Sequence, residues 1–331
     1  MNAERALLLR LQSGPVSGDV LAHESGQTRA AVWKRIETLR AAGIAIDARP
    51  GRGYALATPL ELLDADAMLA GIPVSERARI ASLDVAWSLD STNAELLRRA
   101  VPARGAAVLL AERQTGGRGR RGRTWVSPLA ANLYLSLARM FDGGLARLGG
   151  LSLVAGIAAA EALQASGYAA VRLKWPNDLV VADAGGGLRK LGGLLVEGGG
   201  EHAGPVRAVL GLGLNVRMPR DAATGIAQPW TDLSALRATA PPSRNAIAAA
   251  LLARLLPALE RFDRDGLAPF LPHYAACDAL AGREVDVHAG DGTHAGVALG
   301  IADDGALRVR LHGGERRFHA GEVSVRAGAA T

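Results

Sequence analysis

The chain has 331 residues, of which 49% are hydrophobic and 21% charged, and its formal net charge is +6. This length and composition predict two or three folded domains with apolar cores and exclude a disordered chain. The single cysteine, Cys277, excludes an intramolecular disulfide framework and favours a reducing compartment. The start, "MNAERALLLR", has no long apolar run after a basic segment, and the most apolar stretch contains Glu161. We therefore expect no signal peptide, no membrane span and a cytoplasmic protein.

Positive charge is concentrated in two separate regions. Residues 1–60 hold eight Lys and Arg against five Asp and Glu, and residues 98–123 hold eight Arg against Glu112 alone. Basic clusters of this kind attract anionic partners. The sequence therefore indicates two anionic partners rather than one.

Three helices and a hairpin are predicted for residues 1–60. Residues 4–12 form a short helix, and a second helix stops at Gly26, since glycine readily takes the left-handed conformation of a helix end. Thr28 is the N-cap of the third helix, and Gly43 ends it. The stretch "IAIDARPGRGYALA" predicts two short strands joined by the turn "RPGRG". This order of elements is typical of a winged helix-turn-helix domain.

The third helix has an apolar face and a basic face. Val32, Ile36 and Leu39 recur at helical spacing and are expected to be buried. The helix-turn-helix from Gly18 to Glu37 would place this helix in the DNA major groove, while the wing touches the backbone or the minor groove. The candidate DNA-contacting residues are Arg29, Trp33, Lys34, Arg35 and Arg40 on the helix, and Arg49 and Arg52 in the wing. A small protein-docking domain with a solvated basic face is the alternative.

A second domain is expected to begin near residue 61, because Pro59 marks a hinge. The stretch "SLDSTNAELLRRA" then places Ser91, Thr92 and Asn93 where a strand gives way to a helix. A Ser or Thr at such a junction is either a helix cap or a ligand-binding group.

The most basic stretch is Gly116 to Trp125, "GGRGRRGRTW". It contains G-x-G-x-x-G, but a dinucleotide fingerprint also needs a helix directly behind it. Pro128 breaks a helix and "NLYLSL" alternates like a strand, which disfavours that interpretation. A disordered arginine-glycine RNA-binding tail is also disfavoured, because the segment lies between two strand-like runs, "AAVLLAER" and "NLYLSLA".

An ordered phosphate-binding loop between two strands remains, with a merely solvated basic loop as its alternative. The glycines allow the backbone to approach a phosphate closely, and the arginines supply the charge. Closure of such a loop over a nucleotide would expel water.

Three later stretches carry further candidate residues. "VRLKWPNDLVV" puts Lys174 and Asp178 on either side of a Pro-Asn turn, which a hairpin with a surface ion pair would also explain. "LRKLGGLLVEG" presents Lys190 just before an apolar strand. "VLGLGLNV" ends a strand with residues that let another group approach closely, namely Gly211, Gly213 and Asn215.

Taken in order, these motifs resemble those of biotin protein ligases: Ser-Thr-Asn, the arginine-glycine loop with its Trp, Lys-Trp-Pro-Asn-Asp, Lys-Leu-Gly-Gly and Gly-x-Gly-x-Asn. The winged helix in front resembles the bifunctional class, which is both ligase and biotin operon repressor. The resemblance runs across nearly the whole chain. It implies that biotin and ATP give biotinyl-5′-AMP and pyrophosphate. The biotinyl group then passes to one lysine of the biotin carboxyl carrier protein of acetyl-CoA carboxylase.

The resemblance also implies a role for each matching residue. Biotin would be contacted by Ser91, Thr92, Asn93, Gln114, Arg118, Gly119, Arg120 and Lys190. ATP and the adenylate would be contacted by Gly117, Arg118, Arg120, Arg121, Arg123, Trp125, Lys174, Asn177, Gly211, Gly213 and Asn215. The catalytic candidates are Lys190 at the activated carboxyl, Lys174 and Asp178 beside the phosphates and the incoming lysine, and Arg120.

Elementary chemistry agrees with these roles. Attack of a carboxylate on the α-phosphate brings two anions together, so arginines, lysines and Mg²⁺ must offset the repulsion. An enzyme nucleophile is not needed, and no metal site made by the protein alone is predicted. In the second step Asp178 is the candidate to orient or deprotonate the acceptor lysine. The mixed anhydride hydrolyses readily, so the closed loop should also shield it from water.

The predicted fold class is α+β. The resemblance implies a central mixed sheet flanked by helices, of the class II aminoacyl-tRNA synthetase-like type. The chain after residue 275 has short alternating strands with Asp-Gly and Gly-Gly turns, which predicts a small β-barrel similar to the family's SH3-like domain. We expect domains at residues 1–60, 61–275 and 276–331.

Two other functions are compatible with parts of the sequence. One is a transcription regulator whose second domain only senses a ligand, and the other is a lipoate-type ligase. Intact Lys174, Asp178 and Lys190 favour an enzyme over a sensor, and the arginine-glycine loop disfavours a lipoate ligase. One winged helix contacts few phosphates, so a dimer on two DNA half-sites is expected. The resemblance implies that the adenylate is the corepressor and promotes this dimer.

Two features depart from the family pattern. The stretch between Asp178 and Lys190 contains "ADAGGG" and is longer than the usual turn. Trp33 stands where the family often has a small polar residue.

Overall fold

A computed structural model gives the structure of the protein. It describes the chain except residues 1, 50, 143, 145–147, 201–204, 238–242, 290–291, 320–323 and 328–331. Within the described residues, no helix is both long enough and apolar enough to span a bilayer.

The N-terminal domain is a winged helix-turn-helix. Its elements are α1 (Ala3–Gln12), α2 (Gly18–Ser25), α3 (Arg29–Ala41), β1 (Ile46–Arg49) and β2 (Gly53–Leu56). β1 and β2 pair antiparallel as the wing. The predicted order of three helices and a hairpin is confirmed, although Pro50 in the wing turn lies outside the described residues.

The predicted ends of the helices are also confirmed. The Thr28 hydroxyl accepts a hydrogen bond from the Ala31 amide at 3.2 Å, which caps α3. Gly26 ends α2 with a φ of 63°, a left-handed conformation that glycine takes without strain. The apolar stripe of α3 is buried as expected: Val32, Ile36 and Leu39.

The central domain is built on a seven-stranded mixed sheet in the order β3-β4-β5-β9-β8-β7-β6. The strands are β3 (Ile80–Ala86), β4 (Ala106–Ala111), β5 (Leu133–Phe141), β6 (Arg172–Lys174), β7 (Asp178–Ala182), β8 (Leu188–Gly200) and β9 (Val206–Leu214). The helices are α4 (Ala65–Gly71), α5 (Val74–Arg77), α6 (Thr92–Arg98), α7 (Leu151–Ala165), α8 (Arg244–Asp265) and α9 (Leu271–Cys277). β3 and β4 run parallel, and the other neighbouring strands pair antiparallel.

Helices cover both faces of this sheet unequally. α7 and α8 bury one face in the main hydrophobic core, whereas short α6 covers only part of the other through Leu96, Leu109, Ala138 and Val209. β5 is therefore buried on both faces, and its alternating residues do not mark a solvent face. The part of the sheet beyond the first turn of α6 is left for the candidate site.

The C-terminal domain is a five-stranded antiparallel sheet in the order β13-β12-β11-β10-β14. Its strands are β10 (Glu284–Ala289), β11 (Gly292–Ile301), β12 (Leu307–Leu311), β13 (Gly314–Phe318) and β14 (Ser324–Ala327). It docks beside β6, where the Ala279 amide donates to the Leu173 carbonyl at 2.7 Å and Trp175 Nε1 donates to the Gly305 carbonyl at 2.9 Å. The expected α+β class with a small C-terminal β-domain is confirmed.

The segment that joins the winged helix to the central domain is pinned on both sides. Asn245, at the start of α8, donates to the Leu62 carbonyl at 3.0 Å and accepts from the Asp64 amide at 2.9 Å. Arg217 donates to the Pro59 carbonyl at 3.1 Å. We expected a hinge at Pro59, but these hydrogen bonds hold the segment as a fixed joint.

A buried ion pair stands behind this joint. Arg244 Nη1 lies 2.8 Å from Glu112 Oε2, with side chains 4% and 0% exposed. The other carboxylate oxygen of Glu112 accepts the Leu63 amide at 2.5 Å. The pair thus ties the joint to the end of β4 and to the start of α8.

The winged helix shares a hydrophobic core with the central domain. Leu62, Leu129 and Ala130 pack in one cluster with the buried residues of α1, α2 and α3, and Trp87 packs against it. Trp87 Nε1 also donates to Glu4 Oε2 at 2.9 Å. The two domains therefore meet through packed side chains and not only through the joint.

Candidate active site

A cavity of about 1240 Å³ opens on the face of the sheet that α6 leaves bare. Its walls are the N-terminal end of α6, the arginine-glycine loop, the β6–β7 hairpin, β8 and β9. Of the predicted ligand residues, all of which the structure describes, only Gly117 lies outside this lining. The motifs quoted from the sequence thus converge on one place.

The Ser-Thr-Asn segment forms one end of the cavity. Ser91 caps α6, with its hydroxyl accepting the Ala94 amide at 3.4 Å, so this residue has the structural role weighed above. Thr92 and Asn93 are buried, and Ser136 of β5 lies 2.7 Å from Thr92 Oγ1 and 2.6 Å from Asn93 Oδ1. Ser136 was not predicted as a site residue, although its position as a buried hydroxyl in an apolar strand was a signal.

Gln114, three residues after the end of β4, fixes this end of the cavity. Its Oε1 accepts the Thr92 amide at 2.8 Å and the Thr92 hydroxyl at 3.1 Å. Its Nε2 donates to Ser127 Oγ at 3.2 Å. The result is a rigid polar pocket whose hydroxyl and amide groups are held by one another, which suits a neutral polar ligand group.

The floor of the cavity is sheet without side chains. A side chain at Gly211 would collide with Asn93 Oδ1, and a Cβ at Gly213 would lie 2.5 Å from the Trp125 ring. Both glycines are therefore required for these close approaches. They let Asn93 and Trp125 lie directly on β9.

The arginine-glycine loop is ordered and folds back on itself. The Gly119 amide donates to the Arg123 carbonyl at 2.7 Å, and the Trp125 amide donates to the Gly117 carbonyl at 2.9 Å. Gly117 cannot carry a side chain, because a Cβ there would lie 2.6 Å from the Trp125 carbonyl oxygen. In the structure Gly117 closes the loop, and its predicted contact with ATP stays a prediction.

Two arginines of this loop reach partners across the cavity. Arg118 Nη2 lies 3.4 Å from Glu197 Oε1, and Glu197 Oε2 in turn accepts Asn93 Nδ2 at 2.9 Å. Arg120 Nη1 donates to Asn177 Oδ1 at 3.4 Å. Burial, with the charge of Arg121 beside it, lowers the pKa of Arg120. A cation so placed favours an anionic ligand, because the ligand replaces the water that the guanidinium has lost.

Lys190 and Asp178 form an ion pair in the middle of the cavity. Lys190 Nζ lies 2.7 Å from Asp178 Oδ1, and it lies 5.5 Å from the centre of the Trp125 ring. The sequence placed Lys190 just before a strand, but β8 already begins at Leu188, so Lys190 is held within the sheet. Lys174 and Asp178 face each other as the last pair of the β6–β7 hairpin.

The longer turn after β7 is compact. Asp183 Oδ1 accepts the Gly185 amide at 3.0 Å and the Gly187 amide at 2.8 Å. The turn therefore projects toward the cavity without displacing Lys190 from β8. Gly185, Gly186 and Gly187 line the cavity at this point.

The opposite wall is a segment that the sequence did not single out, residues 225–230. It runs beside Lys190, whose amide donates to the Pro229 carbonyl and whose carbonyl accepts from Thr231, both at 2.9 Å. Asn215 Nδ2 donates to the Thr231 carbonyl at 3.0 Å. Two polar atoms here are buried without a hydrogen-bond partner among the described residues, Asn215 Oδ1 and Trp125 Nε1.

The C-terminal domain contributes one residue that we did not predict. Arg283 lines the cavity, and its Nη2 donates to the Gly186 carbonyl at 2.5 Å. An arginine beside a glycine is a common sequence pattern, so the sequence alone did not identify Arg283 as a site residue. Its guanidinium adds positive charge to the wall of the cavity beside the Gly186 turn.

Protein metal ligands are scarce in the described part of the chain. It contains no group of three His, Cys, Asp or Glu residues placed to hold a metal ion. Asp178 is the one carboxylate among the described residues that line the cavity. This donor set fits Mg²⁺, which commonly binds through one or two carboxylates and the phosphates of its substrate.

The cavity has a glycine-rich sheet as its floor and arginines, lysines and a tryptophan as its walls. These features are typical of an enzyme that activates a carboxylate with a nucleotide, and here the enzyme domain is joined to a helix-turn-helix domain. Three family models match the chain: the HTH domain at residues 4–55, the Biotin/lipoate A/B protein ligase family at residues 86–215, and the Biotin protein ligase C terminal domain at residues 281–326. The bifunctional ligase/repressor BirA of Salmonella typhimurium is 40% identical over 311 residues, which are 94% of this chain and 93% of that protein. The chain belongs to the family of bifunctional biotin ligase/repressors.

Two further proteins are similar over 71% and 75% of the chain. The biotin--[acetyl-CoA-carboxylase] ligase of Paracoccus denitrificans is 35% identical over 243 residues, 71% of this chain and 96% of that protein. A solved structure of the biotin protein ligase from Aquifex aeolicus in complex with biotin and ATP is 26% identical, with a TM-score of 0.62. It covers 75% of this chain and 100% of its own.

Proposed function

We propose that this chain activates biotin with ATP, transfers the biotinyl group to a lysine of the biotin carboxyl carrier protein of acetyl-CoA carboxylase, and represses biotin operon transcription. The observation that carries the ligase function is the Lys190–Asp178 pair on a bare sheet, with Arg118 and Arg120 reaching over it. A sensor of biotin alone has no use for the seven Lys and Arg residues that line this cavity.

In the first step a carboxylate oxygen of biotin forms a bond to the α-phosphorus of ATP. The bond from that phosphorus to the bridging oxygen breaks, and pyrophosphate leaves. Arg120 and Lys190 offset the negative charge that accumulates between the reacting groups. The polar pocket of Thr92, Asn93 and Gln114 holds the uncharged end of biotin, so that its carboxylate lies toward Lys190.

In the second step the neutral amine of the carrier lysine attacks the carbonyl carbon of the adenylate. An amide bond forms, AMP leaves, and the amine releases a proton. Asp178 accepts a hydrogen bond from the incoming ammonium and positions it before that proton is lost. Because its carboxylate already pairs with Lys190, we assign it chiefly to orientation.

The adenosine end is assigned to Trp125, Gly213 and Asn215. The Trp125 indole lies against β9 at Gly213 and offers an aromatic surface for stacking. Asn215 Oδ1 and Trp125 Nε1, buried without partners among the described residues, are groups that a bound ligand would satisfy. Mg²⁺ would be held by Asp178 together with the phosphates and would neutralise the leaving pyrophosphate.

For the repressor function we propose that α3 enters the major groove of operator DNA in a homodimer that the adenylate favours. Arg29, Lys34 and Arg35 lie on or beside the outer face of α3, and Arg49 and Arg52 lie in the wing. Arg40 is held differently: its Nε and Nη2 both donate to the Ile46 carbonyl, at 2.9 and 2.6 Å. This supports a role for Arg40 in bracing the wing rather than in contacting DNA.

The ligase function is tested by incubating the chain with biotin, ATP, Mg²⁺ and an isolated carrier domain. We expect release of AMP and pyrophosphate and a mass gain of one biotinyl group on the carrier. Lipoate added in excess should not compete. If the protein binds biotin but forms no biotinyl-AMP and does not modify the carrier, only the sensor function remains. If it attaches lipoate to the carrier, it is a lipoate-type ligase instead.

A further inference from the structure

Trp33 exposes the largest unpartnered apolar side chain of the winged helix. It is 56% exposed, whereas its neighbour Val32 is 3% exposed and Ile36 is fully buried. An aromatic side chain of this size gains most when it is removed from water. The core of the domain does not use it, because Trp33 lies on the outer face of α3.

The surface around Trp33 is small and basic. Arg29 and Ala30 lie four and three residues before Trp33 and are exposed beside it on α3, and Lys34 is the next exposed residue around the helix. Trp33 is the fifth residue of α3, which begins at Arg29. In helix-turn-helix proteins the N-terminal residues of the recognition helix are those that meet the base edges.

The major groove offers such a side chain one apolar group. Of the four bases only thymine presents a methyl group there, and the other edge groups are hydrogen-bond donors or acceptors. Resting on the proposed operator binding, we infer that the Trp33 ring packs against the C5-methyl of a thymine in each half-site and so specifies that base. Arg29 and Lys34 on either side would meet the flanking phosphates.

The surrounding charges favour DNA over a protein as the partner. A protein covering Trp33 would have to desolvate or neutralise Lys34 and also Arg29, whose Nε already lies 3.1 Å from Asp19 Oδ1 of α2. Phosphates neutralise such cations as part of normal docking. Ala30 keeps the helix surface low beside Trp33, which allows close approach to a groove edge.

The test begins with the operator itself. Intact protein with biotin, ATP and Mg²⁺ selects its binding site from random DNA, and each thymine of the selected site is then replaced by deoxyuridine. This change removes one methyl group and keeps base pairing. We expect one thymine per half-site at which it weakens binding about fourfold, the value of one buried methyl-sized group.

The variant Trp33→Ala combines the protein change with the DNA change in a double-mutant cycle. It should bind the thymine and deoxyuridine sites equally, because the group that reads the methyl is gone. Lys34→Ala is the matched control: it should weaken both sites by the same factor, lower the salt slope by about 0.9, and keep the fourfold preference. Biotinyl-AMP synthesis should be unchanged in both variants, which shows that the ligase domain is intact, and their remaining binding to both DNA sites shows that the winged helix is folded.

The inference is overturned if Trp33→Ala keeps the preference for thymine, or if no thymine is sensitive in the unaltered protein. A change in self-association of Trp33→Ala, with DNA preference retained, would assign the surface to a protein contact instead. Failure of the unaltered protein to select any DNA would overturn the repressor function itself, which is a separate result.

Discussion

The ammonium of Lys190 lies 2.7 Å from the carboxylate of Asp178, across the adjacent strands β8 and β7. Both side chains are less than one-fifth exposed. The pair is thus held by the sheet and not by flexible loops, and we propose that the carboxylate of biotin and the α-phosphate of ATP meet beside it.

The first prediction concerns Lys190. Lys190→Ala should slow adenylation roughly 10²–10³-fold, the usual effect of losing one donor aimed at developing charge, while ATP affinity changes little. Single-turnover kinetics with radiolabelled ATP would separate the two. Arg189→Ala is the matched control. Arg189 is the cationic residue next to Lys190, but its side chain is exposed and pairs with Asp183 instead of Asp178. A near-normal adenylation rate in Lys190→Ala would remove this residue from the reaction.

A second prediction separates the adenylate from biotin. Arg120→Gly should weaken retention of biotinyl-AMP more than binding of biotin, because the guanidinium serves a phosphate that biotin lacks. Adenylate released early would label nearby lysines indiscriminately, which mass spectrometry of a bystander protein would detect. Arg121→Gly, at a neighbouring exposed position, should label less. Equal losses of biotin and adenylate affinity would contradict the role of Arg120.

A third prediction tests the contribution of the C-terminal domain. Arg283→Ala should raise KM for ATP and weaken inhibition by pyrophosphate, since its guanidinium adds positive charge to the cavity wall beside the Gly186 turn. The affinity for biotinyl-AMP, which lacks the outer phosphates, should be nearly unchanged. Arg310→Ala, exposed on β12 of the same domain, is the control. A parallel loss of adenylate affinity would mean that Arg283 only supports the Gly186 turn.

A fourth prediction concerns stability. Glu112→Gln leaves the buried guanidinium of Arg244 without a charged partner and should lower the free energy of unfolding by about 3–5 kcal/mol. Glu315→Gln breaks the exposed pair with Arg308 and should cost less than about 1 kcal/mol. Denaturant unfolding followed by tryptophan fluorescence gives both values. Equal effects would show that burial of the Glu112 pair is not what stabilises the joint.

A fifth prediction separates the two basic regions. Deletion of residues 1–60 should abolish operator binding at any salt concentration, even though the arginine-glycine loop remains. Intact protein should lose about 0.9 log units of affinity per log unit of salt for each phosphate it neutralises. Adenylation should survive in part, but exposure of Leu129 and Ala130 should make the truncated protein less stable. A truncated protein that still footprints the operator would make the loop a nucleic-acid site.

The sequence predicted the parts of this structure that short-range physics determines. Thr28 and Gly26 set helix ends through local hydrogen bonds and backbone freedom, and the alternating tail predicted a β-domain. The candidate site was predictable because its motifs are continuous stretches. Ser136, Glu197 and Arg283 were missed, because each becomes a site residue only through strand pairing or domain docking across long sequence separations.

The joint at Pro59 shows the same limit in another way. Proline between two domains suggests freedom, and the sequence contains no local sign of Asn245, which arrives from far along the chain to hold Leu62 and Asp64. Glu112 and Arg244 likewise meet only because β4 and α8 pack together. Long-range partners of this kind determine whether a linker bends.

The pinned joint has a consequence for DNA. A flexible tether would let two recognition helices adjust to operators of different lengths, but this joint fixes each helix relative to the body of its own subunit. In a two-copy complex the distance between the helices is then a property of the protein, and the operator must match it. Inserting one base pair between the half-sites rotates one of them by about a tenth of a turn and shifts it along the axis. The affinity for such an operator should fall sharply with the first inserted base pair and not gradually with spacer length. The joint would then set the half-site spacing that the protein accepts.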